Sequence, residues 1–239
     1  MNNVSELNQY LRQTTAIEKK LNDVIALRYC SYRNNHSISS NAEKIFYDDF
    51  DTKRNCFSHI EYIDSIPAAA IRGCVYDPKK IARAIPAMEI FSHEIESIAG
   101  TNQVIVESNK FVIHPEFQRK AIKLKFELFA FIFNLALLSN ASYIVTAVRE
   151  SHIKFYQQMN FYPISEEKSY LGLDFKTVLL ANLVVNSRNG QSFVLSFIIN
   201  SNQTFCVSGF DRFALEKVIN SLIGYAEYLL ILFLWAQTF

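Results

Sequence analysis

The sequence predicts an α/β fold in which helices cover a mixed central sheet. Between residues 103 and 185 the apolar patterns alternate as strand, helix, strand, helix and strand, and this order implies a crossover connection. The composition agrees with a packed domain, because 50% of the 239 residues are hydrophobic and 20% are charged. A chain of this length fits one large domain, or one domain with an added segment.

The first half of the chain predicts a long helix followed by a hairpin. Ile17, Leu21, Ile25 and Tyr29 share one face at helical spacing. The predicted elements, in order, are a helix from Val4 to about Arg33, a polar loop at 34–41, two strands at 56–63 and 67–76 that form a hairpin broken near Pro67, and irregular structure with short helices at 78–99.

The second half predicts the centre of the sheet. The strongest strand pattern is "QVIVESNKFVI" at 103–113, directly before His114-Pro115. The helix that follows is apolar on all sides in its second half, which indicates a buried helix. Its residues at helical spacing are Ile122, Phe126, Phe129, Phe133 and Ala136. A strand at 142–148, a helix at 151–159 and two strands within 161–185 complete a predicted domain, 1–185.

Residues 186–239 are predicted to form a C-terminal extension packed on that domain. The pattern indicates a hairpin, 192–199 with 203–208, and a terminal helix from about Asp211. The stretch 219–235 is the most hydrophobic, and it is near the lower limit of the roughly 17–25 residues that span a bilayer. We expect a buried helix or a homodimer contact there, with peripheral membrane contact as the alternative.

Charge and cysteine content argue against several kinds of function. A net charge of +1 gives no case for nucleic-acid binding. The four cysteines show no spacing typical of metal ligands, so we expect free thiols in a reducing cytosol and no metal site. The N-terminus is polar and charged, unlike a secretory signal. These observations together predict a cytoplasmic protein.

A turn rich in basic residues follows the central strand. The turn "HPEFQRKAIK" contains no glycine. The turn and the residues directly after it carry four cations, Arg119, Lys120, Lys123 and Lys125. Cations near a helix start oppose the helix dipole by roughly 0.3–1 kcal/mol each, and an external anion would offset that repulsion. The alternative is a solvated basic face that Glu116 and Glu127 partly balance.

The segment "FYQQMNFYPI" at 155–164 resembles the "FYxxxGF" segment of the GCN5-related N-acetyltransferase superfamily. The resemblance implies that superfamily's partly splayed central sheet, and a role for Tyr156 in protonating the departing thiolate. Asn160 stands where glycine is usual, and asparagine tolerates the left-handed conformation of a helix end. The pattern alone also fits a core tyrosine on an amphipathic helix.

Four short motifs resemble the long-chain N-acyl amino acid synthases and the acyl-homoserine-lactone synthases. They are "FYDDFDT", with Asp48 and Asp51 on the aspartates of "E-x-D-x-x-D"; "ESNKFVI", with Glu107 and Phe111 on "E-x-S-R-F-x-V"; "RYCSY", with Arg28 and Tyr32 on "R-x-x-x-F/Y"; and "AAAIRG", with Arg72 on "G-x-x-R". Phe46, Asn109 and Lys110 depart from the first two motifs. The motifs occur in the families' order, and the resemblance spans about 20–185.

The resemblance implies that the acyl donor is acyl carrier protein, a small and very acidic protein, or acyl-CoA. The superfamily's donor loop reads "Q/R-x-x-G-x-G/A"; Gln118 matches it, whereas Ala121 and Lys123 replace the two small residues. A lysine side chain there would obstruct a coenzyme A pyrophosphate that approaches the backbone. We therefore expect the carrier protein to dock on Gln118, Arg119, Lys120 and Lys123, because charged patches set association rate and register.

The resemblance also bears on the acceptor. The lactone synthases use the leading glutamate of the acidic motif in their S-adenosylmethionine region, and Phe46 replaces it here. An amino acid or another small amine is therefore the expected acceptor. Arg28 or Arg72 would bind an acceptor carboxylate through the guanidinium fork. The alternative is that both arginines form ion pairs with the two aspartates, and that this network orients a pocket shared with Tyr32.

The implied chemistry is amide formation from an acyl thioester, without a bound cofactor. Glu107 is the expected general base, directly or through water, and burial would raise its pKa toward a useful range. Backbone N–H groups of Phe111, Val112 and Ile113 would stabilise the oxyanion if their strand bulges. Tyr156 would act as the acid. No nucleophile arrangement is recognisable, so direct transfer without an acyl-enzyme is expected.

Two other interpretations stay open from the sequence. An acetyl-CoA-dependent N-acetyltransferase would have a cleft that is closed at its acyl end. A fold that has lost catalysis, and now serves as an acyl-binding or regulatory module, would also explain the missing glycines.

Overall fold

The computed structural model describes residues 19–80, 84–170, 175–184, 195–200 and 203–207. The first part of the predicted N-terminal helix lies outside these residues. The same is true of the predicted helix from Asp211 and of the apolar stretch 219–235.

The described residues contain four α-helices and nine strands. The helices are α1 (Lys19–Asn34), α2 (Met88–Ala99), α3 (Ala121–Leu138) and α4 (Ile153–Gln157). The strands are β1 (Cys56–Ile63), β2 (Ile66–Tyr76), β3 (Val104–Ile113), β4 (Ala141–Val148), β5 (Tyr162–Pro163), β6 (Lys168–Ser169), β7 (Lys176–Leu183), β8 (Leu195–Asn200) and β9 (Gln203–Val207). Short 3₁₀ turns at Asp49–Thr52, Pro115–Lys120 and Glu150–His152 connect some of them.

The first seven strands form one mixed sheet in the order β1-β2-β3-β4-β7-β5, and β6 also pairs with β7. β3 and β4 run parallel, with α3 as the crossover between them, and the remaining pairs are antiparallel. The predicted α/β fold with a mixed central sheet is confirmed.

Helices cover both faces of this sheet. Val24 and Leu27 of α1 pack with Ala70 of β2, and α2 packs with Cys74 of the same strand. Residues four apart in a strand lie on one face, so α1 and α2 share that face. Gly73 points to the opposite face, where α3 lies so close that a methyl group on Gly73 would collide with Leu135. Glycine is therefore needed here for close packing of helix on strand.

A bulge interrupts the pairing of β2 with β3. The register shifts by one residue between Ala70 and Arg72, so Lys110 and Phe111 of β3 stand opposite the single residue Ile71. Lys110 adopts a left-handed backbone with φ of 53°, a conformation that costs a non-glycine residue on the order of 1 kcal/mol. The bulge places local strain at the centre of the sheet.

β3 and β4 separate beyond their first few residues. Their parallel pairing starts at Val104 and Ala141 and ends at Glu107 and Val145, although both strands continue. The predicted partial splaying of the sheet is therefore present, and it opens a gap between two central strands.

Two details of the predicted elements differ from the structure. The segment 78–99, predicted to be irregular with short helices, contains one helix of 12 residues, α2, which buries Phe91, Ile95 and Ala99. The segment predicted to hold two strands within 161–185 holds three, because β5 and β6 are pieces of only two residues each. The turn at Asn160 has a φ of 60°, which agrees with the left-handed role expected there.

The chain divides into two compact units, Met1–Val184 and Val185–Phe239. In the second unit, β8 and β9 form an antiparallel pair, which agrees with the predicted hairpin. Among the described residues, no helix combines the length and the apolar character needed to cross a membrane.

Candidate active site

A cleft of about 420 Å³ lies where β3 and β4 separate. One wall is the bulged end of β3, from Asn109 to Ile113, and the other is the end of β4 with Arg149. The remaining walls come from the end of α1 and its following loop, from α3 and from α4. The residues predicted to act at the site that line this cleft are Tyr32, Phe111, Val112, Ile113, Gln118 and Tyr156. Arg28, Asp48, Asp51, Arg72 and Glu107 do not line it, and Arg119 and Lys123 are exposed on the surface.

The aspartates of the acidic motif bind both buried arginines. Arg72 Nη1 donates to Asp48 Oδ1 at 2.6 Å and to Asp51 Oδ1 at 2.8 Å, and Arg72 Nη2 donates to Asp48 Oδ2 at 3.0 Å. Arg28 Nη1 donates to Asp51 Oδ1 at 2.6 Å, and its Nη2 donates to Ser58 at 3.1 Å. Both arginines are 0% exposed and carry carboxylate partners, so neither presents a free guanidinium to the cleft.

Local geometry explains why the two aspartates converge. Asp48 caps the short 3₁₀ turn, and the Asp51 side chain accepts a hydrogen bond from the Asp48 backbone N–H in a capping box. Burial alone would raise the pKa of Asp48, but hydrogen bonds and charge from Arg72 and Lys110 hold that pKa well below its usual range. Burial lowers the pKa of Lys110, which lies 3.2 Å from Asp48.

Glu107 is connected to this network through Asn109. Asn109 accepts from Arg72 Nε at 2.8 Å and donates from Nδ2 to Glu107 Oε1 at 2.9 Å. The other carboxylate oxygen of Glu107 accepts the backbone N–H of Ala87, at the start of α2, at 2.9 Å. Glu107 is only 1% exposed, and burial raises its pKa to about 7 against the lowering effect of these hydrogen bonds. Asn109 lines the cleft and Glu107 lies behind it.

Tyr156 lines the cleft from α4. It is 5% exposed, and its ring makes edge contacts with the rings of Phe129, Phe155 and Phe161. Burial raises the pKa of Tyr156 to about 12, and a hydrogen bond with Thr146 opposes this rise. The hydroxyl is therefore protonated at neutral pH and can donate a proton or a hydrogen bond.

The basic turn lies on the surface beside the cleft. Gln118 and Arg119 are exposed, and Gln118 forms part of the cleft wall. The Lys123 side chain is 59% exposed, and it lies 3.8 Å from Glu127, a distance typical of a weak surface pair. Lys120 is the last residue of the 3₁₀ turn before α3.

Several polar residues of the cleft lie outside the recognised motifs. Arg149 directly follows β4, His152 lies in the turn after it, and Ser37 lies in the loop after α1; none of the three was predicted, whereas Lys125 of α3 belongs to the predicted basic cluster. Burial lowers the pKa values of Lys125 and His152. A polar residue directly after an apolar strand is a usable signal for Arg149, whereas the approach of Ser37 depends on tertiary structure alone.

No metal site accompanies this arrangement in the described residues, where no three His, Cys, Asp or Glu side chains are placed to hold an ion. The cleft instead combines a proton donor, a strained strand and several cations. These groups suit a reaction in which negative charge develops on an oxygen and then on a leaving group.

Comparisons with known proteins identify the family of this chain. The model of the family "N-acyl amino acid synthase FeeM" matches residues 23–182. FeeM from uncultured soil microbes has a similar structure, with a TM-score of 0.60 and 14% identity over 71% of this chain and 88% of that one. No significant match is found among curated protein sequences.

Two acyl-homoserine lactone synthases are also similar in fold. BjaI, solved with MTA and described as CoA-dependent, has a TM-score of 0.53 and 12% identity over 87% of this chain and 83% of its own. LasI has a TM-score of 0.52 and 14% identity over 72% of this chain and 93% of its own. Because the family match covers more than half of the chain, the protein belongs to the FeeM family of N-acyl amino acid synthases, and it is an N-acyltransferase.

Proposed function

We propose that this enzyme moves a fatty acyl group from acyl carrier protein, or from acyl-CoA, to the amine of an amino acid or a similar small acceptor. The observation that carries the proposal is the cleft between the separated ends of β3 and β4, with a protonated Tyr156 in its wall. Membership of the family supports the acyl transfer, and the cleft supplies a place for a thioester between two strands.

Carrier protein is the donor that the surface favours. Gln118 brings the cleft wall to the surface, and the exposed cations Arg119 and Lys123 lie directly beyond it in the chain. An acidic carrier would meet these charges first, which increases the rate of encounter. The loop has no glycine with which to bind a pyrophosphate closely through its backbone, so acyl-CoA is the second candidate.

The reaction forms a C–N bond and breaks a C–S bond. The neutral amine attacks the thioester carbonyl, and the oxyanion then collapses with loss of the thiolate. Backbone N–H groups at the bulge, from Phe111 to Ile113, are the candidate oxyanion donors. Tyr156 gives its proton to the thiolate and recovers one from the positively charged nitrogen of the tetrahedral intermediate, which becomes the neutral amide nitrogen of the product. No oxidant, metal or acyl-enzyme is needed for this balance.

Removal of the amine proton has two candidate bases. Glu107 has a pKa near 7 and is therefore partly ionised at neutral pH, but Asn109 separates it from the cleft, so it would act through water. His152 lines the cleft, and burial lowers its pKa, so its neutral form is available to accept a proton. The pH dependence of kcat in Glu107→Gln and His152→Gln identifies the base. In wild type, protonation of the base lowers kcat toward acid pH, and this fall disappears only in the variant that lacks the base.

The experiment is a direct assay of the purified chain. Tetradecanoyl carrier protein, tetradecanoyl-CoA and acetyl-CoA are each incubated with a mixture of amino acids, and mass spectrometry measures both the N-acyl product and the released thiol. The proposal expects equal amounts of the two with a long-chain donor, and more product from the carrier. Product from acetyl-CoA alone would favour an acetyltransferase. Binding of the acyl carrier without any product would favour a binding module.

A further inference from the structure

The cleft is lined by cations without a matching anion. The described residues that line it include Lys110, Lys125 and Arg149, and none of them is an aspartate or a glutamate. A wall of this composition attracts a negatively charged group from outside the protein. The three cations differ in the partners that they already have within the protein.

Two of the three cations are poorly suited to that role. Lys110 is paired with Asp48 at 3.2 Å, behind the wall. The Lys125 ammonium lies 4.7 Å from the centre of the Phe155 ring, and burial lowers the pKa of this lysine. Each of these lysines thus already has a partner, an aspartate for Lys110 and an aromatic ring for Lys125.

Arg149 differs from both. Its guanidinium stacks 3.6 Å from the centre of the Phe175 ring and donates to the Ser37 hydroxyl. Neither partner carries a charge, and among the described residues no carboxylate lies in ion-pair distance of Arg149. Stacking and one hydrogen bond hold the guanidinium in position, and no other described residue occupies its remaining N–H groups, which can therefore meet a ligand. The side chain is pre-organised for a planar anion.

We propose that Arg149 binds the carboxylate of the acyl acceptor, an inference that rests on the proposed function. The acceptor is then an amino acid and not a simple amine. Carboxylates match the guanidinium fork and accept two parallel hydrogen bonds from it. Arg28 and Arg72 already carry aspartate partners, so Arg149 replaces them as the acceptor-binding arginine. A phosphate of the donor is the other oxyanion that this group would attract, and the experiment separates the two.

The test compares wild type, Arg149→Gln, Arg149→Lys and the control Lys154→Gln, which removes an exposed cation of α4 outside the cleft. Each is assayed with the best amino acid from the mixture above and with the primary amide of that amino acid. Loss of a charged hydrogen-bonded contact predicts that Arg149→Gln raises KM for the amino acid by about 10- to 100-fold. Its KM for the amide and for the acyl donor stays within about twofold of wild type, and Arg149→Lys lies between.

Each contrary outcome has a distinct meaning. Equal changes in KM for the amino acid and its amide would overturn the proposal, because a general structural defect affects both acceptors. A raised KM for the donor alone would assign Arg149 to a phosphate and would likewise overturn it. If wild type acylates amines but does not prefer the carboxylate, the inference fails while the proposed function stands. If wild type acylates no amine, the proposed function itself fails.

Discussion

The carboxyl group of Glu107 accepts hydrogen bonds from two neighbours. It accepts the free backbone N–H at the start of α2, and it accepts a hydrogen bond from the Asn109 side chain. Helix starts favour negative charge, whereas burial favours the protonated acid. Burial is the larger effect, and it raises the pKa of Glu107 to about 7.

This raised pKa predicts a pH dependence of stability. The folded state holds the Glu107 proton more tightly than the unfolded chain, whose pKa is about 4.3. The stabilisation is complete below that value and is lost as pH rises through about 7. From pH 5 to pH 8, the free energy of unfolding of wild type should fall relative to Glu107→Gln by about 2–3 kcal/mol. Urea denaturation at several pH values measures this difference, and parallel curves for the two proteins would contradict it.

Tyr156 should contribute to the rate and little to binding. Tyr156→Phe keeps the ring that packs on Phe129 and Phe161 and removes only the hydroxyl. General acids typically contribute 100-fold or more, so kcat should fall by about 100-fold with KM changed less than about threefold. The free energy of unfolding should change by only about 1 kcal/mol, from loss of the Thr146 hydrogen bond. Unchanged kcat would remove Tyr156 from the mechanism.

At the scale of elements, local patterns predicted the strands and helices that carry their own signals. β3 and α3 have continuous apolar patterns, and both occur close to their predicted positions. The sequence predicted only short helices in the segment of α2, because the start of this helix has no side-chain cap of its own. The Ala87 N–H instead donates to Glu107, 20 residues away. The sequence alone did not predict the position of the bulge at Lys110, because that position depends on the pairing of β3 with β2.

The acidic turn should be a strong determinant of stability. Asp51 is the shared acceptor of Arg28 and Arg72, and its side chain is 0% exposed. Asp51→Asn leaves Arg28 buried without a carboxylate partner and should lower the free energy of unfolding by about 3–5 kcal/mol. Asp49→Asn, in the same turn but exposed, should change it by less than about 0.5 kcal/mol. Equal effects of the two substitutions in urea denaturation would show that the network contributes nothing specific.

At the scale of the whole molecule, the sequence motifs identified the right family but did not separate cleft residues from supporting ones. Arg28, Arg72 and Glu107 were predicted beside Tyr156, yet they lie behind the wall that Tyr156 lines. Motif spacing reports which residues occur together along the chain. It does not report which of them point into the cleft, because that depends on the separation of β3 from β4.

Charge reversal tests the proposed docking of acyl carrier protein on the basic turn. Arg119→Glu and Lys123→Glu should each raise KM for the acyl carrier by about tenfold at low salt, and added salt should reduce the difference. KM for acyl-CoA should change less. Lys79→Glu is the matched control. This exposed lysine follows β2 at the end of the strand that pairs with the start of β3, away from the bulge. Equal losses in all three variants would exclude a specific docking face.

In cells, this enzyme should make N-acyl amino acids. Mass spectrometry of lipid extracts from cells that express wild type, Glu107→Gln or an empty vector tests it most directly. We predict an N-acylated amino acid that is abundant with wild type and absent with the vector; its loss with Glu107→Gln would assign the base to Glu107 and not to His152. Extracts without any acylated amine, from cells that contain folded wild-type protein, would contradict the claim.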